Sequence, residues 1–357
     1  MNLAILGQRR VGKTSLIKNV MAGVQDDEKI IPIYIDCLSM PTLRRLARVI
    51  SEDAKASYIE KTNDTKYVSK INDMLNKSVS ELLQKMSGVD ISISSYISLR
   101  LSLQEEKTDE QTVFENALNY LEYLGSSKDV RFVVFLDEFS EIAERWGNDF
   151  VKLLRTIVQQ QTKIMYVFSS SAITFMHDLV YSNESPFYRQ LKTIPIKTLP
   201  QKDANTFIIE RLETVGYSIN KEALAKILEL TNCLPDYIQR MGDILLDIAE
   251  NKTIDQTDVE NAYENIFLTL DPTFNMIFTR LTDYSKIYSN ILVSIAILDK
   301  PSAIAKDVGI PTSSLYYYLP HLINLGIIEK VQKGQYMISD PIFREWIINK
   351  FRLDSET

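Results

Sequence analysis

The sequence has little of what metal centres and disulfide frameworks are built from. Its 357 residues include two cysteines, Cys37 and Cys233, and two histidines, His177 and His321. The cysteines are far apart and show no C-x-x-C spacing, which argues against a disulfide scaffold or a zinc site and fits a reducing compartment. Two isolated histidines argue against a histidine-ligated metal. Long apolar runs are also lacking, and the first 20 residues carry no signal-peptide pattern, so no membrane partner and a cytoplasmic location are expected. Excess positive charge is absent as well: 40 Lys and Arg stand against 47 Asp and Glu, a net charge of −7. No global field would draw such a chain onto nucleic acid, and any DNA contact must come from a local patch. With 45% hydrophobic residues the chain can bury a substantial core, and its length suits two or three domains.

What is present begins near residue 7. Gly7-Gln8-Arg9-Arg10-Val11-Gly12-Lys13-Thr14-Ser15 is a complete G-x-x-x-x-G-K-[ST] loop. It follows the apolar run 3–6 and precedes a helical pattern, the strand–loop–helix context that phosphate binding needs. Gly7 and Gly12 permit the tight turn that points backbone N–H groups at phosphate oxygens. A helix starting near Lys13 adds its positive dipole end. Lys13 brings a full charge to the β- and γ-phosphates, and the Thr14 hydroxyl can ligate Mg²⁺. ATP and Mg²⁺ are therefore the expected ligands. Arg9 and Arg10 either reach phosphates, pin a lid or face solvent.

Four further strand patterns follow at 30–36, 131–136, 163–168 and 193–196. The middle two are almost continuously apolar, as in strands buried on both faces of a parallel sheet. Helical patterns at 43–55, 65–87, 111–124 and 149–161 alternate with them, which predicts an α/β, doubly wound domain over residues 1–200. Period-2 alternation at 89–93 and 97–103 predicts a hairpin inserted at about 88–104. Beyond Pro200 the strand patterns stop. Residues 203–215, 221–231, 236–250 and 257–268 read as four helices of a helical lid domain, 201–283, with Asn220 as an N-cap and Asn232 as a C-terminal stop. The order helix 284–298, helix 301–308, turn 309–311, helix 312–325 and hairpin 327–338 predicts a winged helix-turn-helix domain over 284–357.

Phe132-Val133-Val134-Phe135-Leu136-Asp137-Glu138 completes the ATPase signature. The apolar run sets Asp137 at the C-terminal edge of a buried strand, where open α/β sheets bind ligands. Asp137 would hold Mg²⁺ beside Thr14, and Glu138 would polarise the attacking water, with Lys13 as the second catalytic group. The alternative is that both acids simply end a strand and cap the next helix. Ser170, ending the neighbouring strand pattern, is a candidate sensor of nucleotide state or else a helix cap. Asp36 either supports Mg²⁺ indirectly or caps its loop.

The loop and its sequel resemble the archaeal ATPases of the STAND branch of the AAA+-like P-loop NTPases. The likeness rests on Gly7 to Leu16 with its double arginine and on Leu136-Asp137-Glu138-Phe139. It continues through Ser170-Ser171-Ala172-Ile173-Thr174-Phe175-Met176, Ser185-Pro186-Phe187-Tyr188, Leu234-Pro235 and 339–346. The resemblance implies an ATP-hydrolysing switch. In such a protein Arg189 would sense the γ-phosphate, and Pro235 would either face adenine or start its helix. The sequence departs from that family in three places and at its start. Ser169 or Ser170 stands where the family has glycine, Arg189-Gln190 replaces Gly-Arg, and Asn232-Cys233 replaces a glycine pair. The family's adenine-covering N-terminal helix has no counterpart before residue 3. Nucleotide affinity and turnover weaker than in relatives are expected, or that helix lies outside this sequence.

The competing class is an ATP-regulated DNA-binding protein, of transcription or replication-initiator type, with little or no turnover. Its recognition helix would present Ser313, Ser314 and Tyr317, with Lys333 on the wing. Residues 312–325 contain no Lys or Arg, so DNA binding through this helix is expected to be weak, and an unknown protein partner is the preferred expectation.

Overall fold

The structure is a computed structural model that describes residues 1–69, 91–105, 107–249, 251–332 and 334–352. Part of the expected helix 65–87, the start of the expected hairpin and Lys333 lie outside the described residues. The chain divides into two compact units. The first comprises 1–6, 13–170 and 175–195; the second comprises 7–12, 171–174 and 196–357.

The first unit is built on a five-stranded parallel sheet. In chain order its elements are β1 (Leu3–Leu6), α1 (Lys13–Gly23), β2 (Ile30–Asp36), α2 (Leu43–Thr62), α3 (Ile91–Gln104) and α4 (Glu110–Lys128). After these come β3 (Arg131–Asp137), α5 (Phe139–Gln160), β4 (Ile164–Ser170), α6 (Ile173–Tyr181) and β5 (Lys192–Pro195). The strand order is β2-β3-β4-β1-β5. The apolar β3 and β4 are central, as a run without alternation requires. The two strands that contain proline, Pro32 in β2 and Pro195 in β5, are the edges, where a missing N–H costs no ladder bond. Leu6 pairs with Ser170 and Asp36 with Asp137, so these residues share the C-terminal edge of the sheet. One core fills the space between sheet and helices, with Ile33, Ile35, Val134 and Leu136 from the strands and Leu46, Leu118 and Phe150 from the helices.

Residues 91–104 correct the expected hairpin: they form α3, not two strands. Ile97 and Leu99 are buried, Tyr96, Leu101 and Leu103 pack beside them, and Arg44 binds the carbonyls of Ser102 and Leu103 at the helix end. The hydroxyls of Ser98 and Ser102 bond back to the carbonyls of Ser94 and Leu99. Alternating serines thus satisfy themselves locally in a helix, and packing overrides a strand-like pattern. The helix expected at 149–161 is the second half of α5, which breaks at Gly147 with φ 72°.

The second unit contains α7 (Gln201–Thr214), α8 (Lys221–Thr231), α9 (Pro235–Ile248), α10 (Gln256–Tyr284), α11 (Lys286–Ile295), α12 (Pro301–Val308) and α13 (Thr312–Asn324). The hairpin β8 (Ile328–Gln332) with β9 (Gln335–Ile338) and the helix α14 (Pro341–Arg352) follow. Asn220 caps α8 through the Ala223 amide, and Asn232 ends it in the left-handed conformation. Two corrections apply. A short parallel pair, β6 (Ser218–Ile219) with β7 (Thr253–Ile254), interrupts the expected all-helical stretch. The helix expected to end at 268 continues to Tyr284 through Pro272, which is exposed. The carbonyl that proline leaves unbonded is that of Leu268, whose side chain is 73% exposed, so water can satisfy it. One core runs from Ala204 to Ile347 and includes Val11. Trp346 donates to Asp271 at 2.7 Å, tying α14 to α10. Among the described residues no helix is long and apolar enough to cross a membrane.

Gly125 offers a test of the packing in the first unit. A Cβ there would lie 2.9 Å from the Val130 carbonyl and from Lys163 Cβ, and the backbone atom cannot yield freely. Gly125→Ala is expected to destabilise the fold by about 1–3 kcal/mol, seen as a lower urea midpoint with unchanged m.

Candidate functional site

In the first unit, helix α1 begins at Lys13, which is buried, and Thr14 follows in its first turn. Thr14 donates its hydroxyl to Asp137 Oδ2 at 2.6 Å. Asp137 ends β3 and is 2% exposed. A buried carboxylate is costly unless hydrogen-bonded, and a second donor, the Tyr34 hydroxyl on β2, meets the same Oδ2 at 3.1 Å. Burial first, and then the Asp137 charge, push the Tyr34 phenol well above its ordinary range, so it remains a donor. Burial, Asp137 and Asp36 similarly push up the buried Cys37 thiol. Thr14 and Asp137 present oxygen donors side by side, the chemistry a hard divalent cation takes. Among the described residues no group of three or more His, Cys, Asp or Glu could hold a metal by itself. One carboxylate with a hydroxyl is the donor set of a cation shared with a bound phosphate.

Glu138 adopts φ 51°, a left-handed conformation unusual for a residue with a side chain, and its carboxylate does not cap α5. The capping alternative for this acid therefore does not hold. Instead Ser170 Oγ donates to Glu138 Oε2 at 3.3 Å, and Ser140 Oγ lies 2.6 Å from Ser170 Oγ. Ser169 and Ser170 alternate across the strand. Ser170 is the one directed to Glu138, while the buried Ser169 hydroxyl has no partner among the described residues. Asp36 caps its own loop, accepting from the Leu38 amide. Sequence reasoning passed over Tyr34 and Ser140. The signal was available: a tyrosine two residues before the end of a strand neighbouring Asp137, and a serine two residues after Glu138.

Two other expected residues face solvent. Arg189 is exposed, has φ 56° and stacks on the Tyr188 ring at 5.0 Å. Ser15 is exposed on the first turn of α1.

In the second unit, Gly7 leaves no room for a side chain, because a Cβ would meet the Ile196 carbonyl at 2.8 Å. Gly12 has φ 91°, which favours glycine. Val11 is buried in the core. Gln8, Arg9 and Arg10 line a cavity of about 100 Å³ with Leu234, Phe274 and Asp340 among its walls. Arg9 is exposed, whereas Arg10 pairs with Asp340. Pro235 is a first-turn proline of α9. Ser313 and Tyr317 are exposed on α13, and Ser314 is half-buried.

The model of a family described as an ATPase domain predominantly from Archaea matches residues 2–241. A Walker-type ATPase of Pyrococcus abyssi superposes with a TM-score of 0.69 at 19% identity, over 97% of this chain and 90% of that one. The ORC2 protein of Aeropyrum pernix, in ADPNP–ADP complexes, matches with a TM-score of 0.56 at 13% identity, over 100% and 89%. The ORC1 protein of the same organism, in complex with DNA, matches with a TM-score of 0.50 at 12% identity, over 100% and 88%. At these identities the likeness is one of fold. No curated protein matches the sequence.

Tyr34→Phe deletes one of the two hydroxyls on Asp137 Oδ2. It is expected to weaken the cation-dependent part of nucleotide affinity several-fold, on the order of 1 kcal/mol, while affinity in EDTA stays unchanged. Calorimetric titrations with and without Mg²⁺ measure both.

Proposed function

We propose that this chain, which belongs to the family of ATPase domains found predominantly in Archaea, is a Mg²⁺-dependent, ATP-hydrolysing molecular switch. The observation that carries the reading is the convergence of Thr14 on Asp137 at 2.6 Å, at the start of a helix whose first residue is the buried Lys13. Backbone amides of the Gly7–Gly12 loop and Lys13 bind the phosphates of ATP. Thr14 and Asp137 would hold Mg²⁺, which supplies charge neutralisation at the phosphate oxygens. Glu138, which accepts from Ser170 and whose side chain makes no cap bond to α5, takes the proton from the attacking water. Ser170 lies on the strand beside β1, so a change at the γ-phosphate can reach Ser140 and the start of α5 through it.

Residues 201–283 act as a helical lid and 284–357 as a winged helix-turn-helix, and nucleotide state repositions them, in the manner of STAND and AAA+ ATPases. The helix–helix–helix–hairpin order of α11, α12, α13, β8 and β9 supports the second assignment. Arg189 is the candidate sensor of the γ-phosphate. The structural relative solved with DNA raises the second reading, an ATP-regulated DNA-binding protein. The recognition helix opposes it: Ser313, Ser314 and Tyr317 are neutral, and α13 carries no Lys or Arg. We favour a protein partner for this module, and we place the protein in the cytoplasm.

The mutational test has two arms. Lys13→Ala is expected to abolish ATP binding in calorimetry, and retained affinity would refute the phosphate-loop assignment. Glu138→Gln is expected to keep Mg·ATP bound while slowing hydrolysis by about 10²–10⁴-fold; wild-type turnover would mean that another group activates the water.

For the winged helix, gel-shift titration of the full chain on duplex DNA at two salt concentrations should show weak binding. Its log–log salt slope is expected to be on the order of 2 rather than the steep slope of a strong repressor.

A further inference from the structure

Arg10 lies in the phosphate loop, yet its guanidinium is committed elsewhere within the second unit. Nη1 donates to Asp340 Oδ2 at 2.5 Å and to the Tyr237 hydroxyl, and that hydroxyl donates to the same Oδ2 at 2.5 Å. Nε lies 3.6 Å from Asp236 Oδ2, and Cζ sits 4.9 Å over the Tyr237 ring. The Arg10 carbonyl accepts from the Asp236 amide at 3.4 Å. These partners are 226, 227 and 330 residues away in sequence, so no local rule brings them together. Both charged side chains of the Arg10–Asp340 pair are about three-quarters buried. At that depth an ion pair is firm, and breaking it leaves an uncompensated charge. Tyr237 is held as the neutral donor, because burial and then the Asp340 charge push its phenol far up.

The backbone shows what the cluster restrains. Arg10 has φ 69°, the left-handed region that side-chain-bearing residues resist. Two residues on, Gly12 takes φ 91° freely. The turn at Arg10 has no glycine to favour it, so something outside the loop must hold it. The guanidinium, hydrogen-bonded through Nη1 and stacked on Tyr237, is the available restraint.

We propose that Asp340 and Tyr237 are positioning residues of the phosphate loop: acting through Arg10, they fix its left-handed turn and so set nucleotide affinity. The inference rests on the ATPase reading above. It assigns Arg10 to the carboxylate rather than to the phosphates. Asp340 has a second duty, since its Oδ1 accepts from the Ile342 and Phe343 amides and so starts α14. One carboxylate therefore joins loop geometry to the seating of α14. By linkage, nucleotide binding and the attachment of α14 strengthen each other by the same factor.

The test is calorimetric titration of Mg·ATP into the full chain, with steady-state hydrolysis alongside. Asp340→Asn keeps an oxygen for the two α14 amides and removes the charge that holds Arg10. It is expected to weaken ATP binding by about 5- to 100-fold, raising KM with kcat at saturating ATP unchanged. Arg10→Gln should give a loss of similar size, and the double variant no more than either single one. Tyr237→Phe, which leaves the α14 cap untouched, should lose several-fold and carries the test if Asp340→Asn does not fold. Three outcomes overturn the inference. Asp340→Asn or Tyr237→Phe could bind as tightly as the parent, or more tightly, while Arg10→Gln is weakened, which would make Arg10 a direct phosphate ligand. The losses could add in the double variant. Loss of kcat without a change in KM would place Asp340 in the chemistry instead. A wild-type chain that binds no nucleotide is a distinct failure: it sinks the ATPase reading itself and this inference with it.

Discussion

The buried Asp137 carboxylate is the constraint on which the site depends. At 2% exposure it cannot be left to water, and its Oδ2 receives hydroxyls from Thr14 and Tyr34. Those bonds fix the start of α1 against the end of β3 and bring β2 into the same cluster. The parallel sheet makes this possible, since every strand ends at the same edge and the residues after each strand share one crevice. Apolar residues in β3 and β4 thus serve the chemistry indirectly. They hold the strands at the sheet centre, so that a single carboxylate at the end of β3 lies within reach of donors from two other elements.

Left-handed backbone recurs in both units. Arg10, Glu138, Arg189, Asn232 and Cys233 all have positive φ without being glycine. Each such position costs about 1–2 kcal/mol unless its surroundings compensate. Asn232 takes this conformation as the C-cap of α8, where its backbone amide donates to the Glu229 carbonyl.

Much of this was legible beforehand, for identifiable reasons. Continuous apolar runs flagged the central strands, and the phosphate loop with Asp137 and Glu138 named the edge where they end. Asn220 and Asn232 marked both ends of α8 by local chemistry. What failed was pattern without context. The alternation in 97–103 looked like a strand, yet Ser98 and Ser102 bond to their own helix and the apolar residues fill a core that the sequence does not display. The helix expected to end at 268 runs on through Pro272, because a proline at an exposed helical position removes one bond whose orphan carbonyl water can take. Tyr34 and Ser140 were missed because their roles come from strand neighbours and not from spacing along the chain.

The adjacent arginines of the loop show the limit of motif reading most clearly. Arg9 and Arg10 are equivalent in composition and charge, and either suits a phosphate. The fold separates them: Arg9 is exposed, and Arg10 meets two carboxylates and an aromatic face. Lysine at position 10 would supply the charge but not the planar fork, which serves Asp340, Tyr237 and Asp236 from one group while stacking on a ring. The choice of arginine there is explained by its partners in the second unit, whereas phosphate attraction alone would explain either cation. A loop defined by its glycines and lysine thus has, at Arg10, partners more than 200 positions away that the motif does not name.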